Sequence, residues 1–459
     1  PIFGGLIADK LLGYRKAVVW GAFLMTLGHA SMALEGFTGV FFYLGLSLLI
    51  LGNGLFKPNI SSIVGQLYKT EDKEKDAGYT IFYMGINAGA FLGILLCGYI
   101  GEKVGWHYGF GLAGIFMFLG MLQFYYAQKL FGNIGLKPKK EADKYVDTRT
   151  VKGEVQESDG RTLQDDEVNE PKAVSPKVQN DRLFVIGVFA FFTIILWCAF
   201  EQAGGSMTIF SADYTDRVLV VDGDLTFKII NTIITIVPLL VITWVLFMLF
   251  KQIYSFYAKS NFFLGLSFVI IWGIVIWMLY REFMAEATEV PASWFSVLNS
   301  LFIILFAPVF SKIWESRFNP SGPVKFAIGL MLLGVGFGAL AYGASGIPSG
   351  ADTAAVSMVW LVIAYLFHTL GELCVSPVGL SYVSKLSPVR LVGLMFGIWF
   401  LANFVANLLG GVTGSYIDYI STNYSMSVFF LIFTVIPIAA GLVMLAMSKI
   451  LVNKMHGIR

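Results

Sequence analysis

Two carboxylates, one lysine and several amides stand inside otherwise apolar runs of this chain. Lys57 lies in LGNGLFKPNISS, Glu201 in LWCAFEQAGG and Glu372 in YLFHTLGELCVSPVGLS, while Asn87, Asn299 and Asn403 punctuate three further hydrophobic stretches. An isolated charge in hydrocarbon is costly, so each must pair, titrate or meet a ligand. Asn53, Lys57 and Ser61 recur at i, i+4, i+8, as do Trp197, Glu201 and Gly205; His368, Glu372 and Ser376; and Trp399, Asn403 and Asn407. On a helix each set shares one face. Tyr83, one turn before Asn87, can present its hydroxyl on the same side as that amide. Such stripes suit the binding of a small polar solute and the movement of a proton. The residues alone leave plainer readings open. Lys57 can snorkel to an interface, Glu201 can sit protonated on a carbonyl, His368 can be a core residue, and Asn403 and Asn407 can bond neighbouring helices.

The elements that position these groups follow from composition. Of 459 residues 56% are hydrophobic and only 14% charged, with a mean hydropathy of +0.72. A soluble chain carries about 25% charged residues, so the charges here are confined to short loops. Cys97, Cys198 and Cys374 fall in three different apolar runs and read as small core residues. His29, His107, His368 and His456 are scattered without ligand spacing, which argues against a metal centre or a membrane enzyme. No phosphate-cradling loop is present, and nothing points to nucleic acid.

About 20 apolar residues are needed to cross a bilayer. The pattern gives a helix tail at 1–8 and spans near 17–35, 40–66, 76–101, 109–131, 183–212, 227–251, 262–280, 293–313, 324–344, 357–385, 391–412 and 425–448. The opening residues thus read as the end of a membrane helix, with an earlier helix and part of this one expected upstream. Residues 132–182 are polar and charged and read as a cytoplasmic linker. It separates an amino-terminal helical bundle, 1–131, from a carboxy-terminal one, 183–459, which carries two inserted helices at about 227–280. Basic residues concentrate in alternate loops: Lys10, Arg15 and Lys16; Lys69, Lys73 and Lys75; Lys312, Arg317 and Lys325; and the tail Lys449, Lys454 and Arg459. The positive-inside rule puts these loops, the linker and the carboxy terminus in the cytoplasm.

Several segments carry a resemblance. FYMGINAGAFLGILLCGYIGEKVGWHYGF, from Phe82 to Phe110, has one amide, Asn87, a glycine ladder at Gly85, Gly89 and Gly93 suited to close helix packing, and a Gly-Trp-His-Tyr-Gly-Phe-Gly turn. GGLIADKLLGYRK places Gly5, Asp9, Lys10, Gly13, Arg15 and Lys16 in a basic loop between two helices. KPN follows a Gly-x-Gly at Lys57, and FEQ contains Glu201. Together these resemble the proton-coupled oligopeptide transporters, a family within the major facilitator superfamily, along nearly the whole chain and in the right order.

The resemblance implies an all-α fold of two bundles, with symport of di- and tripeptides into a bacterial cell across the inner membrane. The driving force would be the proton gradient, with no cofactor and a monomeric unit. The set suits a zwitterion, Lys57 taking the peptide carboxylate and Glu201, Asn87 and Asn299 the amino group; the resemblance favours Asn299 and Trp399 as ligand contacts, with Tyr83 and Asn403 as candidates beside them. Lys57, Glu201 and Glu372 would couple and gate, with Lys57 facing Glu372 across the bundles. The loop of Gly5, Asp9, Gly13, Arg15 and Lys16 would latch two helices. Two features depart from the family pattern. The opening segment with its E-x-x-E-R is absent from this sequence, leaving Glu201 without a basic partner in sight, and the two extra spans follow the E-Q helix rather than precede it. Competing readings are a symporter of another solute, such as nitrate or a modified amino acid, and a peptide sensor built on the same fold.

Overall fold

The computed structural model describes residues 2–67, 74–136, 175–219, 222–253, 257–285, 288–315, 319–387 and 392–458. The first half comprises α1 (Ile2–Ile7), α2 (Tyr14–Met32), α3 (Val40–Gln66), α4 (Glu74–Gly93), α5 (Tyr99–Lys103) and α6 (Trp106–Ala127). A π-helical turn, Ile94–Gly98, joins α4 to α5, so the expected single span is one continuous rod with a local bulge. The second half begins with α7 (Pro176–Phe200). A 3-10 turn (Glu201–Gly204) follows, then α8 (Ser206–Asp213), α9 (Asp222–Ile253) and α10 (Ala258–Met284). It continues through α11 (Trp294–Glu315), α12 (Gly322–Gly343), α13 (Val359–Leu386), α14 (Val392–Gly414), α15 (Ile417–Asn423) and α16 (Met426–Lys454). Eleven helical stretches among the described residues are long and apolar enough to cross a membrane.

Both ends of the polar stretch 132–182 are built into the described structure. Ser175 caps α7, its hydroxyl accepting the Val178 N–H, and Pro176 occupies the first turn. Residues 176–182 therefore belong to the helix, and 132–136 form a turn against α2; the stretch 137–174 lies outside the described residues.

Glycine pairs bring helices into backbone contact in both halves. A Cβ at Gly21 would lie 2.7 Å from the Gly52 carbonyl oxygen, and one at Gly28 would lie 3.0 Å from that of Gly45. This is a seven-residue zipper between α2 and α3. Between α12 and α13 the same spacing recurs: a Cβ at Gly329 would lie 2.7 Å from the Gly371 oxygen, and one at Gly336 would lie 3.0 Å from that of Ala364. Small residues let apolar helices associate by close contact where water offers no driving force. Gly371, beside Glu372, is thus a packing contact inside a continuous α13.

The ladder at Gly85, Gly89 and Gly93 behaves differently. Nothing lies within 4 Å of where their Cβ atoms would be, and Gly89 and Gly93 line a cavity of about 520 Å³ among α2, α3, α4 and α6. Those glycines hold open space instead of a helix contact.

The inserted hairpin, α9–α10, follows α8 in sequence and bridges the halves: α10 packs on α6 of the first half, while Asn231 of α9 accepts from the Trp294 indole of α11 at 3.0 Å. Leu239, Ile271, Val275 and Met278 share a buried cluster with Phe91, Leu92, Leu95, Leu96, Tyr99 and Leu112. The loops that lead into and out of the hairpin meet in a short antiparallel pair, β2 (Val218–Leu219) with β3 (Thr288–Glu289), beside a parallel pair of β1 (Thr215–Asp216) with β4 (Val356–Ser357). These pairs lie at the end of the molecule that carries the α5–α6 turn, called the upper end below.

Candidate functional site

The loop after α1 shows how its motif works. Gly13 takes φ +77°, a left-handed conformation that glycine adopts without penalty, and its N–H bonds to the Ala8 carbonyl. Arg15 is buried, donating from Nη2 to the Gly132 carbonyl at 2.7 Å beneath the Phe131 ring. It therefore ties α2 to the end of α6. Lys16 is exposed, Gly5 meets no neighbour, and the Asp9 side chain lies outside the described residues.

Lys57 sits on α3, which runs unbroken through Pro58. Proline cannot bond to the Gly54 carbonyl four residues back, and Gly4 of α1 seats against that freed carbonyl. Asn59, 1% exposed, secures the contact, donating to Gly4 (3.2 Å) and Leu55 (2.7 Å). The Lys57 side chain is exposed, and it lies near enough for its charge to reach the Glu201 carboxylate. Glu201 therefore has a cation within Coulombic range, contrary to the expectation of none.

Glu201 and Gln202 divide the work of the FEQ segment. The helix breaks here because Gly204 and Gly205 follow, and Gly205 adopts φ −122° with ψ −102°. Gln202, 1% exposed, donates to the Gly410 carbonyl at 2.8 Å and accepts from the Ser206 hydroxyl at 2.7 Å, fixing α7 against α14. Its neighbour Glu201 is exposed to the interior. A broken helix with a free carboxylate at the break is a recurrent way to build a binding position within a membrane fold.

Glu372 of α13 accepts from Asn299 Nδ2 of α11 at 3.1 Å, and the same amide donates to Thr369 at 3.0 Å. Glu372 also feels the charge of Glu201. Lys57, Glu201, Glu372 and Asn299, drawn from α3, the α7 break, α13 and α11, thus form one chain of neighbouring polar side chains, with the Asn299–Glu372 hydrogen bond as its direct contact. Two residues the sequence reading did not single out complete it. Ser296 lies 3.2 Å from the Tyr365 hydroxyl, and that hydroxyl donates to the Ala203 carbonyl at 3.3 Å. Their signal was present in the spacing: Ser296 and Asn299 are i, i+3, while Tyr365, Thr369 and Glu372 are i, i+4, i+7.

The remaining candidates are spread out. Asn87 is half-buried on α4; Tyr83 is on the same helix, its side chain outside the described residues. Trp399, 5% exposed, lays its indole against Gly379 of α13 and joins the core of the second half. Asn403 is half-buried, and its carbonyl accepts from Asn407 within α14. His368 turns away from Glu372 and stacks on Phe337, ring centroids 4.4 Å apart, over Gly336 of α12. The His368–Glu372–Ser376 stripe therefore splits between two neighbouring helices.

Long apolar helices around a sparse set of interior charges define a membrane transporter. The chain belongs to the POT family, whose model matches residues 15–277 and 262–435. It is 31% identical to a peptide transporter, YePEPT, of Yersinia enterocolitica subsp. palearctica, over 90% of this chain and 76% of the relative. It is 30% identical to a di-/tripeptide transporter of Lactococcus lactis subsp. cremoris, over 100% of this chain and 85% of the relative. A crystal structure of a peptide transporter POT in complex with sulfate is similar, with a TM-score of 0.70, 26% identity, and 99% of this chain and 84% of that chain covered. The fold is that of the major facilitator superfamily.

Proposed function

We propose that this protein is a proton-coupled symporter of di- and tripeptides working by alternating access. The observation that carries this reading is the chain Lys57–Glu201–Glu372–Asn299 inside a POT-family fold. A zwitterion suits it. Lys57 attracts the peptide carboxylate, while Glu201 and the Asn299–Glu372 pair attract the ammonium, with Asn87 reaching the same space from α4. A proton taken up at Glu201 or Glu372 would change the charge that Lys57 and the substrate meet. Occupancy of substrate and proton can thereby bias which end is open.

The multi-pass protein lies, in this reading, in a bacterial inner membrane with its basic loops and carboxy terminus in the cytoplasm, which puts the upper end outside. One chain is the working unit, and the proton gradient replaces any cofactor. The test is uptake of labelled dialanine by the protein in liposomes, with an inward proton gradient and again with it collapsed. Accumulation that requires the gradient supports the proposal; absence of accumulation by folded protein refutes it.

A further inference from the structure

At the upper end, α5 of the first half grips the start of α11 in the second. The Glu102 carboxylate accepts the backbone N–H groups of Ala292 (2.6 Å) and Ser293 (2.7 Å), just ahead of α11. Both acceptor oxygens are thus used on otherwise unpartnered amides at a helix start, where a negative charge is also favoured by the helix dipole. Gly98, one turn earlier on the same face, lets the backbones close: a Cβ there would come 2.5 Å from Ser293 Oγ. Beside it Lys103 donates to Glu289 Oε2 at 2.9 Å, and Arg217 pairs with Glu289 Oε1 at 3.0 Å. Arg217 also donates to the Val290 carbonyl at 2.6 Å. The hairpin adds Arg281, bonded to the Lys103 carbonyl at 3.2 Å, and Glu282, bonded to the Tyr99 hydroxyl.

We propose that Glu102, seated by Gly98 and flanked by the Lys103–Glu289–Arg217 bridge, is the latch that holds the upper ends of the two halves together. Its release opens the interior charges to that side during transport. Nothing in the interior chain of charges needs Glu102, so its role is to set the closed state and not to contact substrate. The hairpin spans the clasp: α10 packs on the first half and reinforces α5, while α9 is tied to α11, Asn231 accepting from the Trp294 indole at 3.0 Å and Phe227 packing on the same ring. That this end faces outward rests on the orientation proposed above.

Spin labels on Phe37→Cys and Tyr424→Cys, exposed positions in upper loops of the first and second halves, report the separation by pulsed dipolar spectroscopy. In detergent-purified protein, Glu102→Ala should raise the long-distance population about tenfold, with Glu102→Gln between it and the parent. An unchanged distance distribution in folded Glu102→Ala would overturn the proposal, as would a lower melting temperature with no change in separation, which marks a purely structural contact. A reversible thiol cross-linker between Lys103→Cys and Glu289→Cys should stop uptake, and reductant should restore it; uptake that continues through the cross-link also overturns the latch. The distance readout needs no substrate, so it can fail or succeed independently of the peptide assignment.

Discussion

Glu102 and Glu201 both lie at helix ends in the same membrane fold, and their surroundings could hardly differ more. Glu102 has two backbone N–H donors at 2.6 and 2.7 Å. Glu201 is exposed at the helix break, with Lys57 and Glu372 as its charged neighbours. The neighbours repeat the contrast: Gln202 is fully engaged with Gly410 and Ser206, while Lys57, two residues from the engaged Asn59, extends into open space. A polar group with saturated partners fixes geometry. One with few partners keeps its protonation state and pairing open to change.

The sharpest way to break that contrast is to remove the loosely held charges. Lys57→Ala and Glu201→Gln are each expected to lower gradient-driven dialanine uptake by about 10²-fold or more, with little change in melting temperature. Near-normal uptake in either would show that the open charges are not the working ones.

Among the glycines the same comparison holds between contact and space. Gly329→Leu must displace the Gly371 backbone and should destabilise by about 1–3 kcal/mol or more, read as a fall in melting temperature or in yield of monodisperse protein. Gly89→Ala, facing a cavity, should stay within about 0.5 kcal/mol. Equal effects would mean that the zipper carries no special weight.

Asn299→Leu removes one hydrogen bond from Glu372 and is expected to weaken uptake about tenfold, near 1.4 kcal/mol. Replacement by Gln, tested for partial recovery, separates the bond from the volume.

The smallest effect belongs to Glu289, which is partly exposed. Its bond to Lys103, with the charges of Lys103 and Arg217, holds its carboxyl below the ordinary value. A depressed folded value means the contribution is present above the unfolded carboxylate range and is lost as pH falls through the folded one. Glu289→Gln should therefore cost under about 1 kcal/mol at pH 7 and reduce the drop in melting temperature seen on acidification; a variant with the parent's acid profile would remove Glu289 from the clasp.

Composition and periodicity determined most of the architecture, because a bilayer demands long apolar helices and leaves few alternatives. Lys57, Glu201, Glu372 and Asn299 stood out in the sequence for the same reason: a charge or amide in hydrocarbon requires a cause. Which of these charges meet, and which glycines touch, depended on helix rotation and depth, and local spacing does not encode either. Thus the i, i+4 stripe of His368 and Glu372 divided between α12 and α11, and Gly89 lined a cavity while Gly329 met a backbone. The placement of α10 against the first half followed from the buried cluster around Leu95 and Val275, not from chain order. Glu102 sat in plain view within GEKVGW, one residue beyond the span expected at 76–101. Only the fold brought it to the start of a helix 190 residues away, where two unpartnered amides gave its carboxylate a use.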